Sequence, residues 1–110
     1  MRPITSGGET IFPDEVEAVL RYHTDIDDAA VVGLDDPMMG QYLVALIAAP
    51  PDRQPPTIEE IRTFCIGRVS GFKVPRHVLA VPTIPREGKR IDYEWARATA
   101  ADRLGAPNPS

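Results

Sequence analysis

The 110 residues predict a small two-layer α+β domain: a three-stranded sheet with flanking helices and a short hairpin at the N-terminus. Helical periodicity and short apolar runs follow one another in the order helix, strand, strand, helix, strand, helix. Clusters of Gly and Pro punctuate those runs, and a chain of this length supports one core, not two.

Thr5 to Ile11 reads Thr-Ser-Gly-Gly-Glu-Thr-Ile, two adjacent glycines between β-prone pieces, which suits a tight turn. Residues 1–12 are therefore expected to form a Gly-Gly loop or hairpin. Pro13 opens the first helix, with Asp14 and Glu15 in its first turn, where negative charge complements the helix dipole. Val16, Val19, Leu20 and His23 recur on one face at helical spacing.

Ala29-Ala-Val-Val32 and Tyr42 to Ala49 are apolar runs separated by Gly33-Leu-Asp-Asp-Pro-Met-Met-Gly40, a pattern of two strands and a connecting loop. Pro50, Pro51, Pro55 and Pro56 remove amide donors and make the next stretch a connector. Thr57 with Glu60 forms a capping box, after which Ile58, Ile61, Phe64, Cys65 and Val69 line one side of a second helix that Gly71 is placed to end.

Pro75 holds the chain extended ahead of a third strand, His77 to Val81. Pro82 to Arg90 reads as a loop, and Asp92 as the N-cap of a last helix running to about Leu104, with Tyr93 and Trp95 packing on the sheet or covering its end. The domain is thus expected over 13–104. Residues 105–110, Gly-Ala-Pro-Asn-Pro-Ser, read as a disordered tail.

Sixteen acids against twelve bases give a formal charge of -4, and the bases are scattered; phosphate binding needs a concentrated positive surface, so nucleic acid is excluded as a partner. Cys65, the single cysteine, rules out an internal disulfide and a cysteine-rich zinc site, and reads as a small core residue in a reducing compartment. No apolar run approaches the roughly 20 residues of a membrane span, and residues 1–8 hold no hydrophobic signal core, so a cytoplasmic protein is expected. His23 and His77 are isolated, and Asp27-Asp28 and Asp35-Asp36 read as solvated turn formers, so no metal site is expected.

Ser6-Gly-Gly-Glu-Thr-Ile-Phe-Pro-Asp-Glu-Val-Glu-Ala-Val-Leu20 resembles the segment that begins the C-terminal domain of acyl-CoA synthetases and related adenylate-forming (AMP-binding) ligases. Ala29-Ala-Val-Val-Gly-Leu-Asp-Asp-Pro37 is similar to the family's first core strand, and Gly71-Phe-Lys-Val-Pro-Arg76 to its Gly-aromatic-Lys-x-Pro motif. The resemblance covers about residues 4–103. It implies a two-step reaction: ATP and a carboxylate give an acyl-adenylate and pyrophosphate, then a thiol such as coenzyme A displaces AMP. It also implies a partner, the large N-terminal adenylation core of the same enzyme, which would hold the phosphate-binding loop, the acyl pocket and Mg2+. This domain would be that core's mobile lid, a part of fatty acid metabolism, inactive alone and binding neither ATP nor coenzyme A tightly by itself. Apolar surface left by an absent core would permit a weak homodimer.

Adenylation builds negative charge, which a lysine delivered by the lid stabilises in this family. The family reads Pro-Arg, three residues, then Gly-Lys; this chain reads Pro85-Arg-Glu-Gly-Lys-Arg-Ile-Asp92, two residues shorter. Lys89 keeps the Gly-Lys pair, whereas anchoring on Ile91-Asp92 puts Arg90 in its place. The shortening also motivates an alternative, a non-catalytic interaction or regulatory module of the same fold in which both are solvated cations. The resemblance makes Gly7 and Gly8 the glycines beside which a pantetheine arm passes, although a hairpin turn alone would explain them. It sets Lys73 near the nucleotide end of the coenzyme A path, against a plainer reading in which Phe72 packs on the core and Lys73 is solvated. Arg2 falls where the family has its hinge residue.

Overall fold

In the computed structural model, which describes residues 3–107, the chain runs β1 (Ile4–Ser6), β2 (Glu9–Ile11), α1 (Pro13–Arg21), β3 (Asp28–Asp36), β4 (Gly40–Ala48), α2 (Ile58–Cys65), β5 (His77–Ala80), β6 (Arg86–Glu87), β7 (Arg90–Ile91) and α3 (Tyr93–Leu104). The α+β class and the order of the major elements are those expected. β3 and β4 form a long antiparallel hairpin in register from Asp28↔Ala48 to Asp36↔Gly40. Its reversal is stabilised where Asp36 Oδ2 accepts the Met39 amide at 3.0 Å and Gly40 takes a φ of +87°. β5 then lies parallel to β4, Val44↔His77 to Ile47↔Ala80, after a crossover through α2.

The N-terminal hairpin is not separate from the sheet. Ser6 of β1 pairs with Gly40 at the start of β4, so the three expected strands become five.

The second difference is in the layers. Ala29, Val31, Leu43, Ala45 and Ile47 meet Val16 and Leu20 of α1 and Ile61 and Cys65 of α2. Ala30, Val32, Leu34, Val44, Leu46 and Ala48 point the other way, onto Ala96, Ala100 and Ala101 of α3 with Val81, Ile84 and Ile91. Helices therefore cover both faces, giving three layers in place of two. The reason lies in β3 and β4 themselves, which are apolar at successive rather than alternate positions, and a strand of that kind must be covered on both sides.

Caps follow the expected chemistry in two helices. Thr57 and Glu60 complete their capping box at 2.9 and 3.2 Å, and Asp92 accepts the Trp95 amide at 3.0 Å. Helix α2, however, ends at Cys65, because Gly67 (φ +79°) turns the chain and the Arg68 amide bonds the Cys65 carbonyl at 2.9 Å. Gly71 instead opens a single 3-10 turn, Gly71–Lys73. The stretch expected as a loop over Pro82 to Arg90 contains the small β6–β7 hairpin. Gly105 (φ +65°) ends α3, and the Ala106 amide reaches back to the Ala101 carbonyl at 2.8 Å, so the start of the expected tail belongs to the helix cap.

Candidate functional site

Ser6 and Glu9 enclose a two-residue turn in which Gly7 (φ +57°) and Gly8 (φ +82°) are both left-handed, the arrangement that matches strand twist in a tight hairpin. The Gly7 amide donates to the Met39 carbonyl at 2.9 Å, laying this turn beside the β3–β4 turn. A Cβ on Gly7 would lie 2.8 Å from Met39 Cε, while one on Gly8 would meet nothing within 4 Å. Gly7 thus answers to packing, and Gly8 leaves bare backbone facing open space.

The 3-10 turn brings Lys73 Nζ to 2.7 Å from Glu15 Oε1 in the first turn of α1. Phe72 is 41% exposed, and the Lys73 ammonium lies 5.6 Å from its ring. The plainer expectation fails on both counts: Phe72 stays outside the core and Lys73 is ion-paired. Pro75 is buried, and next to it the Arg76 guanidinium stacks 4.4 Å from the Tyr42 ring centroid and reaches Asp36 at 3.5 Å.

Lys89 occupies the second place of the β6–β7 turn, after Gly88 (φ +64°). Lys89 and the adjacent Arg90 are exposed, and both line a cleft of about 250 Å³ with Glu17, Arg21, Arg86, Ile91 and Tyr93. Neither Gly7, Gly8 nor Lys73 lines it. Arg86 spans its edge, its Nη2 lying 2.7 and 2.9 Å from the two Asp28 oxygens and its Nη1 donating to the Lys89 carbonyl at 3.2 Å. Asp28 also takes Arg21 Nε at 3.2 Å and the Ala29 amide at 2.9 Å. Asp28 is therefore a half-buried junction between charged groups, not the solvated turn former expected.

Glu17 was not among the residues singled out from the sequence. Its side chain is 2% exposed, accepting the Val31 amide at 2.8 Å and the Tyr93 hydroxyl at 2.9 and 2.8 Å, with Arg21 Nη2 at 3.9 Å. Burial pushes its carboxyl above the ordinary range, and burial together with Glu17 raises the Tyr93 phenol. The available signal was position: Glu17 follows Val16 and precedes Leu20 by three, which puts it on the edge of the apolar stripe of α1.

Among the described residues, no group of three or more His, Cys, Asp or Glu is arranged to hold a metal ion. His23 Nδ1 accepts the Asp25 amide at 3.0 Å, and its ring meets Phe64 edge-on at 4.9 Å. Burial, then Arg76, holds His77 below its usual basicity, and its ring packs 5.7 Å from Tyr42. Cys65 is buried, which pushes its thiol up and leaves little thiolate. Arg2 lies outside the described residues.

Residues 15–90 match the family described as AMP-binding enzyme C-terminal domain. The chain is 42% identical over 112 residues to a medium/long-chain-fatty-acid–CoA/3-oxocholest-4-en-26-oate–CoA ligase of Mycobacterium marinum, covering 97% of this chain and 20% of that protein. A mitochondrial medium-chain acyl-CoA ligase of Danio rerio is 42% identical over 82 residues, covering 74% of this chain and 13% of its own length. Among solved structures, a Mycobacterium tuberculosis fatty acyl CoA synthetase superposes with a TM-score of 0.81 at 27% identity, over 96% of this chain and 20% of that one. An amide bond synthetase from Marinactinospora thermotolerans does so at 0.81 and 30%, over 88% and 20%. The chain thus spans from about an eighth to a fifth of the length of these relatives. By the match over residues 15–90, it belongs to the AMP-binding enzyme C-terminal domain family.

Proposed function

We propose that this domain is the lid of an acyl-CoA synthetase-like ligase and that Lys89 is the cation it brings to carboxylate adenylation. The observation that carries this is the position of Lys89, exposed at the tip of a two-residue turn that projects beside an open cleft. In the first step a carboxylate oxygen attacks the α-phosphorus of ATP and pyrophosphate leaves; in the second a thiol attacks the acyl carbon and AMP leaves. A positive group held at the phosphate stabilises the charge of the first transition state, and a closing lid excludes water. Sites for ATP, Mg2+ and the acyl chain are assigned to the adenylation core, the domain's partner.

For the second step, Gly8 offers backbone that no Cβ shields, which suits close passage of a pantetheine arm, with Gly7 fixing the turn against Met39. Lys73, already drawn to the carboxylate of Glu15, is a half-buried cation suited to a phosphorylated nucleotide end of coenzyme A. By their names the curated relatives act on fatty acids and a steroid acid, which supports a carboxylic acid of that apolar kind as substrate. A cytoplasmic setting is supported by the single buried cysteine; no helix among the described residues is long and apolar enough to cross a membrane.

Half-reactions of the complete enzyme test the assignment. Lys89→Ala lowers adenylate formation by about 2–4 kcal/mol of barrier while thioester formation from supplied adenylate is spared. Loss with Arg90→Ala instead transfers the role to Arg90, and equal loss in both steps, or none, rejects it. A non-catalytic module of the same fold is favoured by one observation, the short closed turn at Gly88-Lys89, and it requires that both variants be silent. Exposed Phe12, Tyr22, Met38 and Ile66 lead to weak self-association of the isolated chain, which light scattering over a concentration series would register as rising mass.

A further inference from the structure

We propose that Arg86 and Asp28 are positioning residues that hold the Lys89 turn in place. The inference rests on the reading of Lys89 as the adenylation cation and adds how that cation is aimed.

The β6–β7 hairpin pairs only with itself and forms a two-stranded sheet apart from the five-stranded one. Two strands of two residues do not sustain themselves in water. The base of the hairpin is anchored, because Ile84 and Ile91 are buried beneath α3 and the Asp92 amide bonds the Pro85 carbonyl at 2.9 Å. The tip has no comparable apolar anchor: Glu87, Gly88, Lys89 and Arg90 are all exposed.

The Arg86 side chain ties the tip to the body of the domain. Arg86 places Nη1 on the Lys89 carbonyl at 3.2 Å and Nη2 on both Asp28 oxygens at 2.7 and 2.9 Å. Asp28 in turn is fixed at the start of β3 by the Ala29 amide at 2.9 Å and by Arg21 Nε at 3.2 Å, and Arg21 is itself held by the Ala29 carbonyl at 2.9 Å. The orientation of the Lys89 backbone is thereby referred, through a planar guanidinium, to the central hairpin of the sheet. A lysine at position 86 would keep the charge but lacks the rigid fork needed to bond two acceptors at fixed angles.

The test uses this chain and the complete enzyme in parallel, with Arg86→Gln, Arg86→Lys, Asp28→Asn and Lys89→Ala. By amide hydrogen exchange on this chain, the Arg90 amide, in the Glu87↔Arg90 pair at the tip, is expected to exchange about tenfold faster in both Arg86 variants and in Asp28→Asn, with the Asp92 amide of the anchored base, the β3 amides beyond Ala29 and the β4 amides unchanged. In the complete enzyme, kcat for adenylate formation is expected to fall about 10- to 100-fold with KM for ATP unchanged and thioester formation from supplied adenylate spared. Simple destabilisation would instead speed exchange throughout the sheet and lower both steps, which overturns the proposal. If Lys89→Ala impairs adenylation while the Arg86 variants do not, positioning is refuted and the lid reading stands. If Lys89→Ala is silent, both fall together.

Discussion

Glu17 is a buried carboxyl that accepts a strand amide and a phenol hydroxyl, with Arg21 3.9 Å away, and its burial favours the protonated form. A folded pKa raised above the ordinary glutamate value of 4.5 has a definite thermodynamic sign: its stabilising contribution is complete below that value and is lost as pH rises through the folded pKa. Glu17→Gln keeps the shape and an acceptor for the Val31 amide while removing the titration. Unfolding measured on both proteins across the acid-to-neutral range should show wild type losing ground to Glu17→Gln as pH rises. A difference that stays flat, or moves the opposite way, contradicts the burial argument. The other candidate residues were legible in the sequence to different degrees. Lys89 and Arg90 stood out through their motif, and both line one cleft. The ion pair between Lys73 and Glu15 was not legible, because it joins positions 58 apart that no local pattern relates. Asp28 was hidden for the same reason: adjacent aspartates look like turn chemistry until the fold brings Arg21 and Arg86 to one of them.

Local rules located the elements where they rested on capping and on special backbone angles. The capping box at Thr57, the N-cap at Asp92 and the Gly7-Gly8 turn all formed as their residue types dictate. Thr57→Ala removes the acceptor of the Glu60 amide and should lower stability by about 1 kcal/mol, read as a shift in urea midpoint with the slope unchanged. An unchanged midpoint would show that α2 is held by Ile61 and Cys65 alone. The stop of α2 was misplaced because two glycines, Gly67 and Gly71, compete within four residues and local pattern does not rank them; the chain uses the first. The β6–β7 hairpin escaped notice because strands of two residues carry no periodicity to read.

At the scale of the whole molecule, the α+β class followed from element order, whereas the layering depended on how β3 and β4 were covered. Apolar residues at successive positions from Ala29 to Val32 and from Leu43 to Ala48 already carried that information. The consequence for function is a sheet stiffened on both faces, with the Gly7-Gly8 turn, the Lys73 turn and the Lys89 turn carried on separate connections around it. A rigid body presenting distinct turns is what a lid needs if it is to offer different surfaces to two successive reactions. By the proposed function, this body completes a reaction centre belonging to an adenylating core. The most direct measurement is thioester formation by that core, expressed without its own C-terminal domain, before and after addition of this chain. Activity is expected to return with wild type and not with Lys89→Ala; a chain that is folded by circular dichroism yet restores nothing at saturating concentration would contradict the proposed function.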